Sequence, residues 1–270
     1  MLSIIIPTLN EAVSLPRLLR DLSRQIYRDF EVIVVDGGST DLTLVKTKNF
    51  TPAPPCLKIV KSPKAHVCVQ RNLGAKAAQG EILVFIDADS RIGPEFLLGL
   101  RYRFATAKAD VLSFWLNPDI INPQNESLAL AVNLFREIQN NLKPRYLLEA
   151  LFAVKKTAFL AADGFDETIN YAEGSQLIRR LVKLGYESKI VRDPVFTFSF
   201  RRLRQMGLLT MSGTIARLEL SNLIGKKYQS YLAKKLYPMS GGGQFDYNRQ
   251  AKNRFVVKIK ELLESFDRDF

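Results

Sequence analysis

The chain reads as an α/β protein built on a mostly parallel central sheet flanked by helices, with a helical extension at its C-terminal end. Three short runs, Ser3–Pro7, Glu31–Asp36 and Glu81–Asp87, are apolar along most of their length instead of alternating, the mark of parallel strands covered on both faces. Helical segments separate them, and a β-α-β-α-β order favours an open sheet with right-handed crossovers.

Each element follows from local pattern. Ser14–Gln25 is a helix because Leu15, Leu18, Leu19 and Leu22 share one face. Lys58–Val60 forms a further strand after the proline-rich stretch 51–55, and the Ala-rich segment Gln70–Gln79 is a helix feeding the third strong strand. Asp110–Leu116, Phe152–Val154 and Val195–Phe200 read as strands. Asn125–Asn141 is a helix carrying Leu128, Val132, Phe135 and Ile138 at helical spacing, and Thr157–Ala162 is a short one. Gly174–Leu184 is another, stopped by Gly185. Apolar residues recurring from Leu208 to Leu236 predict one long amphipathic helix flanked by lysine pairs. Ser240–Gly243 then breaks the chain, as a linker or a mobile loop over an acceptor, before a last helix over Gln250–Phe266. The organisation expected is an α/β domain over 1–205 and a basic helical extension over 206–270.

Composition narrows the function. At 270 residues, 47% of them hydrophobic, the chain buries a substantial core without staples. Two cysteines are too few for a disulfide scaffold, and one histidine excludes a multi-histidine zinc centre. No apolar stretch approaches the length of a membrane span, and the N-terminus lacks a leader pattern, so a reducing, cytoplasmic location is expected. The net charge of +12 is concentrated at the C-terminal end, where from Arg201 onward 14 basic residues face 6 acidic ones. That asymmetry points to an anionic partner such as a phosphate or an anionic membrane surface, or to a solvated basic face. Nucleic acid is disfavoured: the basic residues are not interleaved with aromatics and no binding motif appears.

Carboxylates follow each strong strand. The first runs into Pro7-Thr8-Leu9-Asn10-Glu11, the second into Asp36-Gly37-Gly38-Ser39-Thr40-Asp41, the third into Asp87-Ala88-Asp89. Ligands of open parallel sheets sit beyond the carboxyl ends of the strands. If the strands are neighbours, Glu11, Asp36, Asp87 and Asp89 converge and repel one another unless a cation intervenes. Oxygen ligands suit Mg²⁺ or Mn²⁺. On an extended segment, Asp87 and Asp89 point the same way and address one ligand together. Ser39–Asp41 read instead as caps of the next helix.

At these residues the chain resembles the family 2 glycosyltransferases, inverting GT-A-fold enzymes that use nucleotide-diphosphate sugars. The resemblance rests on Ser3–Glu11, Val32–Asp41, Gln70–Ala75, Ile82–Asp89 and Gly164-Phe165-Asp166-Glu167, in order and at the family's spacing; beyond about residue 186 it is loose. It implies that Pro7, Thr8 and Glu11 line the nucleoside pocket, that Asp36 contacts base or ribose, and that Arg71 borders the same pocket. Asp87 and Asp89 correspond to the Asp-x-Asp signature, with Asp89 nearest the metal. The acceptor implied is a glycan or a polyprenyl-phosphate-type lipid. Absence of a Gln-x-x-Arg-Trp motif implies one sugar per turnover rather than processive synthesis. The family's base aspartate falls on Gly174, next to Glu173. Three readings follow: Glu173 is the base, the acceptor is already ionised, or the protein binds nucleotide sugar without transfer. Arg201, Arg202 and Arg204, after the last strand, add positive charge over the diphosphate or form a basic surface loop.

Overall fold

The computed structural model describes residues 1–141, 147–221, 225–237 and 241–242. Its eight strands are β1 (Leu2–Thr8), β2 (Phe30–Asp36), β3 (Leu57–Lys61), β4 (Ile82–Ile86), β5 (Arg91–Ile92), β6 (Val111–Pro118), β7 (Leu151–Lys155) and β8 (Ser188–Phe198). The described helices are α1 (Leu15–Ser23), α2 (Thr43–Lys48), α3 (Val67–Ala77), α4 (Phe96–Thr106), α5 (Pro123–Asn141), α6 (Lys156–Ala161), α7 (Glu173–Lys183), α8 (Arg201–Met206), α9 (Leu208–Ser221) and α10 (Lys226–Leu236). The strands form one sheet in the order β3-β2-β1-β4-β7-β6-β8-β5.

The N-terminal half bears out the expected parallel winding. β1 pairs in parallel with β2 on one side and β4 on the other, and β2 with β3. These strands are apolar along most of their length because both faces are covered: Ile4, Ile6, Val32, Val34 and Val84 pack on one side, Ile5, Ile33, Val35, Leu83 and Phe85 on the other. On the first face α1 inserts Leu15, Leu18, Leu19 and Leu22, all fully buried. Burying such a side chain contributes on the order of 1.5–3 kcal/mol.

The C-terminal half departs from uniform parallelism. β7 runs antiparallel to both β4 and β6, and β5 antiparallel to β8, while β6 and β8 are parallel. This mixture decides what reaches the site. Because β7 is reversed, the residues just before it arrive at the edge where β1, β2 and β4 end. Asp87 N–H donates to Ala150 O at 2.9 Å there. β8, parallel to β6, delivers Phe198–Arg202 to the same edge.

Two expectations need correction. The segment from Leu208 to Leu236 is not one helix: α9 and α10 are separate, lie against each other, and are tied by Gln229 Nε2 donating to Leu218 O at 3.0 Å. Gly225, with φ of +142°, precedes α10 in a backbone conformation no continuing helix adopts. Arg201–Arg204 are likewise no loop but belong to α8. The expected helix over 250–266 lies outside the described residues.

Candidate active site

A cavity of about 570 Å³ opens at the shared strand edge. Pro7, Thr8 and Glu11 from the end of β1, Arg71 from α3, Asp87 and Asp89 after β4, and Arg201 and Arg202 from α8 all line it. So does Glu173, the first residue of α7. Nine of the eleven residues singled out from sequence, all but Asp36 and Arg204, therefore meet in one place. Asp36 does not line the cavity: buried at the end of β2, it accepts N–H bonds from Gly38 at 3.1 Å and from Ser39 at 3.1 and 3.3 Å. It shapes the turn. Behind that turn Gln70 Nε2 donates to Thr8 O at 2.8 Å and Val35 O at 2.7 Å, locking α3 to the ends of β1 and β2.

Asp87 and Asp89 do not share one extended segment. The chain turns after β4, with Ser90 N–H donating to Asp87 O at 3.0 Å, and the two carboxylates go to different arginines. Arg71, 2% exposed, pairs through Nη2 with Asp87 Oδ1 at 3.0 Å and through Nη1 with Glu173 Oε1 at 3.0 Å. Its Nη2 also donates to Glu149 O at 3.1 Å, and Phe165 lies under the guanidinium at 5.4 Å. Arg201 grips Glu11 through Nη1 at 3.1 Å and Nη2 at 2.7 Å while its Nε pairs with Asp89 Oδ2 at 2.9 Å. Two guanidiniums thus do what sequence reasoning gave to a metal alone, holding the converging carboxylates together. Arg202 stacks its guanidinium on the Tyr237 ring at 3.9 Å. Arg204 points elsewhere, to Asp119 at 2.7 Å through both nitrogens.

Electrostatics follow from this crowding. Burial, opposed by Arg71 and reinforced by Asp89, pushes Asp87 up to about 7. Burial also lifts Glu11 above the usual carboxylate range against the pull of Arg201. Burial would lower Arg71, but Asp87, Glu173 and Glu149 around it hold it protonated more firmly than usual. Sequence reasoning missed Glu149 and Tyr237. Glu149 lines the cavity, and its carboxyl is raised well above the ordinary value by burial and by Glu173 beside it. One signal was available: Glu149 is a lone charge immediately ahead of the apolar run Ala150–Val154.

Oxygen donors at Asp89 suit a hard divalent cation. Among the described residues no cluster of three or more potential ligands stands ready to hold one alone. The donor set fits, provided Arg201 releases Asp89.

The remaining wall is apolar: Leu116, Leu128, Val132, Leu148, Leu203, Leu208, Met211 and Ile215, with Tyr237 at its charged border. The C-terminal extension therefore builds part of the cavity. At the mouth, Gly242 N–H donates to Leu9 O at 3.0 Å, and a Cβ on Gly242 would come within 2.4 Å of Glu11 Oε2. Glycine is what permits that approach.

Known proteins resemble this chain in sequence and fold. A PGL/p-HBAD biosynthesis glycosyltransferase of Mycobacterium bovis is 43% identical over 93 residues, 34% of this chain and 36% of that protein. A cholesterol galactosyltransferase of Borreliella burgdorferi is 30% identical over 181 residues, 66% of this chain and 48% of that protein. The chain thus spans from about a third to half the length of these relatives. A mannosyltransferase from Pyrobaculum calidifontis, solved with GDP-Man and Mn²⁺, superposes with a TM-score of 0.65 at 22% identity, covering 88% of this chain and 68% of that one. S. aureus TarS 1–349 with UDP gives 0.59 at 24% identity, covering 73% and 60%. These structures share the GT-A fold. The model of glycosyl transferase family 2 matches residues 3–158, more than half of the chain, and the protein belongs to that family.

Proposed function

We propose that the protein transfers one sugar per turnover from a nucleotide-diphosphate sugar to a hydroxyl of a lipid-linked acceptor, with inversion at the anomeric carbon. One observation carries the reading: a single cavity joins a charged end, built of Glu11, Arg71, Asp87, Asp89, Glu173 and Arg201, to an apolar wall supplied by α5 and α9. The charged end suits a diphosphate, the wall an apolar body.

Pro7, Thr8 and Glu11 receive the nucleoside, with Asp36 shaping the adjoining turn. Arg71 and Asp87 border the diphosphate. Arg201 and Arg202 turn toward it as charge grows on the leaving group. Asp89 would hold Mg²⁺ or Mn²⁺, which would supply positive charge to the departing diphosphate. The acceptor oxygen attacks in line, and its proton passes to the carboxylate cluster that Glu173 joins. A hydroxyl acceptor is favoured over an already ionised one such as a lipid phosphate, because Glu149 and Glu173 line the cavity and would repel a second anion, and the apolar wall favours a lipid-linked acceptor over a glycan.

Exposed apolar side chains on α5 and α9, which wall the cavity, and on α10 support a peripheral membrane site at a cytoplasmic face. Leu209, Leu220 and Tyr231 on α9 and α10, and Leu130, Leu134 and Phe135 on α5, are exposed. No helix among the described residues is long and apolar enough to cross a bilayer.

A thermal-shift panel of UDP, GDP and their sugars with Mn²⁺, followed by donor turnover, tests the reading. A nucleotide diphosphate is expected to stabilise the protein, and Asp89→Ala to abolish turnover. No shift with any member, or normal turnover in Asp89→Ala, defeats it.

A further inference from the structure

We infer that Glu149 is the carboxylate that takes the acceptor's proton, its side chain occupying the space in front of the first turn of α7; this rests on the transfer reading above.

The geometry is local and tight. Glu149 Oε1 accepts the Gly174 N–H at 2.6 Å. A Cβ added at Gly174 would lie 2.5 Å from Glu149 Cγ and 3.0 Å from Oε1, closer than atoms tolerate. Only a glycine at position 174 leaves room for this carboxylate. Ahead of it Ala172 adopts φ of +54°, turning the chain so that Glu173 opens α7 beside Arg71. Glu149 therefore enters from the β7 side of the site and takes the place that a side chain at 174 would hold.

Its neighbours fit the role. Glu173 is tied to Arg71 and only 1% exposed, whereas Glu149 is half-buried and faces the cavity. The two carboxyls lie within hydrogen-bond reach, and Glu173 Oε2 accepts from no other group among the described residues. Arg71, Asp87, Glu173 and Tyr237 are the charged or titratable groups gathered around Glu149. Burial and Glu173 raise its proton affinity, which strengthens its ionised form as a base, while the Gly174 N–H keeps that form accessible. In the transfer the acceptor oxygen bonds to the anomeric carbon as the carbon–oxygen bond to the diphosphate breaks. The electron pair leaves with the diphosphate, and the hydroxyl proton moves to Glu149.

The test uses the full chain with Mn²⁺ and UDP-glucose, UDP-galactose, UDP-N-acetylglucosamine and GDP-mannose, water serving as acceptor. Glu149→Gln is expected to lower kcat for donor hydrolysis by about 100-fold or more while nucleotide affinity stays within about threefold. A kcat within about threefold of the parent overturns the inference. Relocating the carboxylate gives the second arm. E149A/G174D is expected to recover at least about tenfold over E149A, and its failure to recover while still binding nucleotide counts against the assignment. Thermal unfolding needs no turnover: G174D should lower Tm by about 4 °C or more in the parent and far less in E149A. Additive losses in that cycle refute the shared position. A panel without nucleotide binding would instead defeat the transfer reading, and the catalytic role of Glu149 with it, while the unfolding cycle still decides the shared position.

Discussion

Replacing Arg71 by methionine removes the cation on which the cluster depends. Arg71 is 2% exposed and pairs with Asp87 and Glu173 at 3.0 Å each. Methionine keeps much of the volume and the contact with Phe165, so the loss is chiefly electrostatic. Removing one partner of a buried pair costs about 3–5 kcal/mol, because the other charge stays buried and uncompensated. For a domain of this size that is a Tm lower by roughly 6–20 °C. The sign with pH follows from the carboxylates. Without Arg71 the already raised folded value of Asp87 climbs further above its unfolded one, so the penalty is small while that carboxyl remains protonated and grows as pH climbs through the raised value. Urea unfolding at pH 5 and pH 8 reads this directly: Arg71→Met should lose more at pH 8, and adding Glu173→Gln should return part of it. A loss below about 1 kcal/mol, equal at both pH values, would refute the network.

Other outcomes follow from the same geometry. Asp87, pushed up to about 7 by burial, holds a proton in the folded state where the unfolded chain has lost it. Its contribution to stability is therefore full below the ordinary aspartate value and lost as pH rises through about 7, so Asp87→Asn should flatten the fall in Tm between pH 4 and pH 8. Because Arg201 holds Asp89 in the ligand-free site, Mn²⁺ alone should barely shift Tm, whereas Mn²⁺ with UDP or GDP should shift it more than the nucleotide does with EDTA. Sedimentation with phosphatidylserine vesicles should show binding that weakens between low and high salt, and Leu209→Glu with Tyr231→Glu should reduce it without moving nucleotide affinity. Vesicle binding that ignores salt and both substitutions would exclude that face.

The strands and most of the carboxylates were legible because their signals are local. An apolar run ending in Asp-x-Asp or in Asp-Gly-Gly declares both a buried strand and its functional end. Leu15, Leu18, Leu19 and Leu22 declared α1 in the same way. The illegible parts depend on strand direction. Nothing in Leu151–Lys155 says that β7 is reversed, and only that reversal carries Glu149 beside Asp87. The vacancy at Gly174 was visible, but what fills it comes from a segment 25 residues earlier. Asp36 misled for the opposite reason. A carboxylate followed by two glycines serves a turn as readily as a ligand, and here it closes its own turn through Gly38 and Ser39. The break between α9 and α10 went unread because a glycine inside a periodic stretch is compatible with either outcome.

The charges of the cavity explain why arginines, a retained proton and a cation belong together. Five carboxylates, Glu11, Asp87, Asp89, Glu149 and Glu173, face three guanidiniums, Arg71, Arg201 and Arg202, among the described residues that line it. Left so, the ligand-free site is negative and repels the diphosphate it is proposed to bind. A proton retained part of the time by Asp87, pushed up to about 7 by burial, offsets part of that charge. A divalent cation on Asp89 would reverse the sign and free Arg201, now spent on Glu11 and Asp89, to face the diphosphate. The acidic residues thus serve recognition of an anion only through the cations they gather. That is why an acidic cavity, in a chain with a net charge of +12, is its candidate phosphate site.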